Sequence, residues 1–233
     1  MVTLRKEFDL LKYIHGQGLP VNEALHIDTV QQLLVLSYLP GAIQFNWNHQ
    51  EISQAANLLS RIHQLSYQDL PSLESRTDLL TDSALNAWKL EPLLQRLEVR
   101  QPINNNPPTL LHGDFWPGNL LSNEHGISSI IDWEDAHFGD PLVDLATMRI
   151  ELGWIQNWQA AETFTSIYLE QFPLNTMDLF YWDCHILDRI LLMLSNSMDD
   201  VPAFFRQHDR PDLTANKITS NMNSLLRAVS NQP

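Results

Sequence analysis

Leu4, Phe8, Leu11 and Ile14 fall on one face at helical spacing, which predicts a helix from Thr3 to about His15. Gly16 and Gly18 end it and Pro20 follows, the order expected after a helix C-terminus. Two strand-like stretches come next, near Glu23–Ile27 and Gln32–Tyr38, with a turn at Asp28. Within the second, Leu33-Leu34-Val35-Leu36 is an uninterrupted apolar run and predicts a strand buried on both faces. Leu39-Pro40-Gly41 breaks the pattern, and the chain then turns mainly helical. Asn48 and Glu51 have capping-box spacing, and Ile52, Ala55, Ala56, Leu59, Ile62 and His63 form the apolar face behind them. A less regular helical stretch covers about Thr81–Arg100, and Gln101–Pro108, rich in Asn and Pro, reads as a loop.

A β-rich insert interrupts the helices. Thr109–Leu111 and Leu120–Ser122 flank a polar loop, and a turn at Asn123-Glu124-His125-Gly126 leads into a strand at Ile127–Ile131. Asp140-Pro141 reads as a helix cap with a first-turn proline, opening a helix to about Leu152. Further helical patterns lie near 155–171, 176–197 and 213–229, separated by Pro173 and by the segment from Pro202 to Pro211. The outline is α+β. Residues 1–40 form a small N-terminal lobe ending in a hinge, and residues 41–233 form a large helical lobe carrying a β-hairpin.

Composition narrows the partners. A net charge of −14 repels phosphates and argues against a nucleic-acid partner. It suits cationic small molecules or metal ions, and equally suits plain solubility. The one cysteine, Cys184, has no second cysteine to pair with, and its apolar helical surroundings predict a buried thiol. Neither a signal-peptide layout nor an apolar run long enough to span a bilayer is present, so the expectation is a cytoplasmic protein with no membrane partner.

The chemistry concentrates in Leu110-Leu111-His112-Gly113-Asp114-Phe115-Trp116-Pro117-Gly118-Asn119-Leu120-Leu121. A lone carboxylate, Asp114, precedes an amide, Asn119, and a second apolar run ends in Asp132. Phosphoryl transfer asks a protein mainly to position groups and neutralise charge. A carboxylate takes the proton of the attacking hydroxyl, and hard oxygen ligands hold Mg²⁺. Read singly, Asp114 and Asn119 serve equally well as turn formers. Their occurrence in order with Asp132 favours a site.

His112 to Asn119, then Ile131-Asp132-Trp133-Glu134-Asp135-Ala136, then Gly139-Asp140-Pro141 and Asp144-Leu145-Ala146, resemble the aminoglycoside phosphotransferase and choline kinase-like family. The resemblance covers most of the chain. It implies a protein-kinase-like fold and an ATP- and Mg²⁺-dependent kinase acting on small-molecule hydroxyls. By that resemblance Asp114 is the catalytic base, Asn119 and Asp132 hold the metal, and Asp144 and His112 support the catalytic loop. Ser37, Tyr38 and Leu39 match the hinge that receives the adenine of the nucleotide through its backbone. Trp116, Glu134 and Asp135 are candidates for the substrate side, where the acidic pair suits an amino-bearing substrate and equally suits a solvated acidic face.

One set of parts is not found. Kinases of this type cover the phosphates with a glycine-rich hairpin and supply a strand lysine paired to a helix glutamate. Glu7 matches that glutamate by resemblance, but the only lysines are Lys6, Lys12, Lys89 and Lys217, none in a predicted strand. Gly16-Gln17-Gly18 follows a helix and precedes Leu-Pro, the wrong context for a phosphate cradle. Three readings stay open: a longer protein, a shortened form with poor or no activity, or completion by another chain. A catalytically inactive kinase-like binding module is therefore the alternative function. The small N-terminal sheet is expected to expose an edge and to favour self-association. A hydrolase has little support, because neither a Gly-x-Ser-x-Gly elbow nor a His-Glu-x-x-His motif occurs.

Overall fold

The computed structural model describes residues 4–66, 73, 83–99 and 106–232. Helix α1 (Leu4–Gly16) buries Leu10, Leu11 and Ile14, as its spacing requires. Strands β1 (Ala24–Asp28) and β2 (Leu33–Leu36) pair antiparallel as a two-stranded ribbon. The apolar run of β2 is not buried on both faces. Leu34 and Leu36 pack against the core, while Leu33 is 47% and Val35 37% exposed. A two-stranded sheet with one layer beneath it covers one face, and the alternation of the strand turns every second side chain outward.

The ribbon is tied to the rest by backbone. The Ile130 N–H donates to the Pro20 carbonyl (2.8 Å), and Val21 bridges Ile130 in parallel. Past the hinge, β3 (Ala42–Ile43) joins β5 (Leu120–Asn123), which forms a hairpin with β6 (Gly126–Ile130). The predicted hairpin is thus present. The preceding strand β4 (Thr109–Leu111) belongs to a different sheet and pairs with β7 (His137–Gly139). The polar loop therefore spans from one small sheet to another and is anchored at both ends.

Helix α2 (His49–His63) opens on the expected capping box. Asn48 Oδ1 accepts from the Gln50 and Glu51 N–H groups (2.8 and 3.2 Å), and Glu51 Oε2 accepts from the Asn48 N–H (2.9 Å). The stretch near 81–100 resolves into α3 (Ser83–Ala87) and α4 (Glu91–Val99), divided at Lys89 with its φ of 54°. Its first two positions and its last, and most of the loop 101–108, lie outside the described residues.

Helix α5 (Leu142–Ile155) is buried along its whole length and packs against α6 (Trp158–Gln171), α7 (Leu179–Ser197) and α9 (Ala215–Ser230). Its cap sits one residue later than expected, at Pro141. Asp140 Oδ1 still accepts the Leu142 N–H (3.0 Å), so the capping chemistry is kept. The segment from Pro202 to Pro211, expected only as a separator, contains a further helix, α8 (Val201–Gln207), with Pro202 in its first turn. Cys184 is buried in α7, and burial pushes its thiol pKa up.

Candidate active site

The loop after β4 is held from beneath by one fully buried carboxylate. Asp144, in the first turn of α5, accepts the His112 N–H at Oδ2 (2.7 Å) and the Gly113 N–H at Oδ1 (3.0 Å). His63 of α2 lies 3.3 Å from Asp144 Oδ2, and its other ring nitrogen lies 2.6 Å from the Tyr168 hydroxyl. Burial alone raises the Asp144 pKa. The His63 hydrogen bond, the neighbouring His63 and His112 rings and the His112 amide outweigh it, and the carboxyl sits below its ordinary value. With Asp144 ionised, His63 Nε2 is the donor toward its carboxylate.

His112 adds a second brace. Its Nε2 lies 3.0 Å from the Ile131 carbonyl, which makes it the donor there, and Nδ1 accepts the Asp114 N–H (3.3 Å). Burial lowers its pKa against the opposing pull of Asp144, so the ring is neutral. Gly113, at φ +85°, passes directly against the Asp135 backbone, where a Cβ has no room. The Trp116 ring covers Gly118 in the same manner.

These braces set the orientation of Asp114. Asn119, at the end of a 3-10 turn (Pro117–Asn119), donates its amide to Asp114 O (2.9 Å) and to Asp114 Oδ2 (3.1 Å). Arg189 of α7 donates from Nη2 to Asp114 Oδ1 (3.3 Å). Burial raises the Asp114 pKa, with Arg189 pulling the other way. Asn119 also accepts, at its backbone carbonyl, the N–H of Ile131 (3.0 Å), the residue before Asp132. Asp132 is exposed and left-handed at φ 66°, a conformation that aspartate tolerates. Glu7 of α1 reaches this same corner. Its pKa is raised by burial first and then by the charges of Asp132 and Glu134.

Among the described residues, no group of three His, Cys, Asp or Glu side chains forms a metal cage. An exposed carboxylate and an amide oxygen are instead the small, hard donor set that suits Mg²⁺, which keeps waters and phosphate oxygens as its other ligands. At the hinge, the Ser37 N–H donates to Glu23 O (2.9 Å) and its carbonyl accepts from Asn22 Nδ2 (2.7 Å). The backbone groups of Tyr38 and Leu39 make no hydrogen bond among the described residues.

Beside Asp114 opens a cavity of about 430 Å³. Of the three substrate-side candidates, Trp116 lines it, whereas Glu134 and Asp135 do not. Sequence reasoning missed Glu151, Trp154 and Arg189 on its wall. The signal for Glu151 was available: it is a carboxylate between apolar residues in a helix buried along its whole length. Its pKa is pushed up to about 7 by burial and the Asp114 charge, against Arg189 and a hydrogen bond from Trp154 Nε1 (2.9 Å).

Small sheets set against a helical lobe, with a braced carboxylate loop where they meet, make this a protein-kinase-like fold. A choline kinase from Streptococcus pneumoniae superposes with a TM-score of 0.63 at 16% identity, covering 100% of this chain and 82% of that one. An amicoumacin kinase bound to AMP-PNP, Ca²⁺ and its ligand gives 0.59 at 16% identity, covering 98% and 77%. The chain belongs to the phosphotransferase enzyme family, whose model matches residues 1–169. Among curated relatives, a probable ketoamine kinase of Lactiplantibacillus plantarum is 31% identical over 114 residues, and acyl-CoA dehydrogenase family member 11 of Pongo abelii is 29% identical over 91. The matches cover 43% and 38% of this chain and only 40% and 10% of those relatives.

Proposed function

We propose that the chain is an ATP- and Mg²⁺-dependent phosphotransferase acting on the hydroxyl of a small molecule. The observation that carries this is Asp114, fixed at both oxygens by Asn119 and Arg189 and facing a ligand-sized cavity. In this reading Asp114 takes the proton of the attacking hydroxyl, and its raised pKa makes it a better acceptor than an ordinary aspartate. Asn119 and Asp132 would hold magnesium, which when bound neutralises charge on the phosphate oxygens. The open backbone of Tyr38 and Leu39 supports adenine binding at the hinge. Relatives that act on choline and ketoamines make an amino-bearing alcohol a reasonable acceptor. No helix among the described residues is long and apolar enough to cross a membrane.

A second reading, an inactive kinase-like binding module, is favoured by one observation: no lysine lies on a strand among the described residues. Radiolabelled transfer from ATP to a panel of amino alcohols, amino sugars and apolar alcohols separates the two. The kinase reading expects transfer that Asp114→Asn abolishes with the melting temperature kept, and Mg²⁺-dependent nucleotide binding that Asp132→Ala abolishes. Transfer unchanged by Asp114→Asn defeats it, and ligand binding without transfer selects the module.

A further inference from the structure

The wall of the Asp114 cavity is chemically one-sided. Trp116, Trp154, Ile190, Met193, Phe204 and Phe205 supply most of it, and its polar groups are three, Asp114, Glu151 and Arg189. Asp114 Oδ1 is met by Arg189, and Glu151 Oε2 by Trp154 Nε1. The aromatic part is braced from behind. Phe45 lies 5.8 Å from Trp116 and 4.9 Å from Phe205, and Phe205 lies 5.5 Å from Trp154. At the mouth, Met193 is 40% and Phe204 37% exposed, so apolar surface is left open where a ligand would enter.

From this lining we infer that the acceptor is an alcohol with a compact apolar or aromatic body, and that polyhydroxylated sugars are rejected. The inference rests on the phosphotransferase reading for its hydroxyl and on the cavity wall for its body. A ring or short aliphatic chain buries against the apolar side chains of this wall, Val201 among them, while one hydroxyl meets Asp114. A sugar brings several further hydroxyls to a wall whose polar groups are confined to Asp114, Glu151 and Arg189, so some of its hydroxyls meet apolar side chains instead. Each one buried unpaired weakens binding roughly ten-fold.

Two tryptophans in the wall make binding readable without nucleotide or turnover. Titration with 2-phenylethanol, cyclohexylmethanol and glucosamine is followed by tryptophan fluorescence and calorimetry. Expected are saturable responses to the first two, at least roughly ten-fold tighter than glucosamine. Phe204→Ser, and separately Met193→Ser at the exposed mouth, should weaken 2-phenylethanol about ten-fold with little change for glucosamine. Glucosamine binding as tightly as the apolar alcohols, no response to either apolar alcohol, or indifference to both variants overturns the inference. Mg·ATP binding and transfer are measured in parallel. Transfer to glucosamine overturns the substrate class and leaves the kinase reading standing, whereas cavity binding without any nucleotide binding does the reverse.

Discussion

Two buried carboxylates on α5 show how position alone sets protonation. Asp144 lies under two backbone N–H groups and a histidine and stays charged, whereas Glu151, two turns on, has one indole N–H and the pull of Arg189 against its burial and the Asp114 charge. Its pKa of about 7 compares with an ordinary 4.5. Between those values the folded state keeps a proton that the unfolded chain has lost. The contribution of this group to stability therefore falls as pH rises from 4.5, and the fall is complete above 7. A shift of this size corresponds to on the order of 3 kcal/mol. Glu151→Gln keeps an acceptor for Trp154 and removes the charge. Urea unfolding of the variant and the parent at several pH values should show the variant gaining on the parent by about that amount across this window. A gap that does not vary with pH would mean that Glu151 titrates normally.

At the scale of elements, the β1–β2 ribbon is the exposed weak point. Leu25 (55%), Val30 (92%), Leu33 (47%) and Val35 (37%) are exposed on it or at its turn, and neither strand has a further strand neighbour among the described residues. An open edge beside an apolar face favours pairing with another chain. Self-association that grows with concentration is expected by sedimentation velocity, and Leu33→Lys with Val35→Lys should suppress it. A chain that stays monomeric at every concentration rejects the expectation. This element also marks where sequence reading stops. The α2 cap was legible because Asn48 and Glu51 act within one turn. The apolar run of β2 was not, because whether its second face is covered depends on layers far along the chain. The same holds for the cavity. His112 to Asn119 and Asp132 are contiguous enough to read, whereas Glu151, Arg189 and Phe204 meet only because α5, α7 and α8 pack around Asp114.

For the whole molecule, the groups that would engage a nucleotide are unevenly distributed. In the proposed reading, base contacts would come from the open backbone of Tyr38 and Leu39, and metal contacts from Asn119 and Asp132. On the side facing Glu7 the charges are Asp132 and Glu134, which repel a phosphate chain. The lysines lie elsewhere: Lys6 and Lys12 on α1 itself, Lys89 between α3 and α4, and Lys217 on α9. In this reading a γ-phosphate gains little from the lysines among the described residues beyond what the metal would provide. Calorimetry on the 233-residue chain should find Mg·ATP and Mg·ADP dissociation constants within roughly three-fold, a difference below about 1 kcal/mol. Both should weaken sharply in Asp132→Ala and hardly at all in Lys6→Ala. A preference for Mg·ATP of about a hundred-fold, worth about 2.7 kcal/mol, would require a phosphate clamp within this chain. Its loss in Lys6→Ala would then place the clamp on α1, next to Glu7.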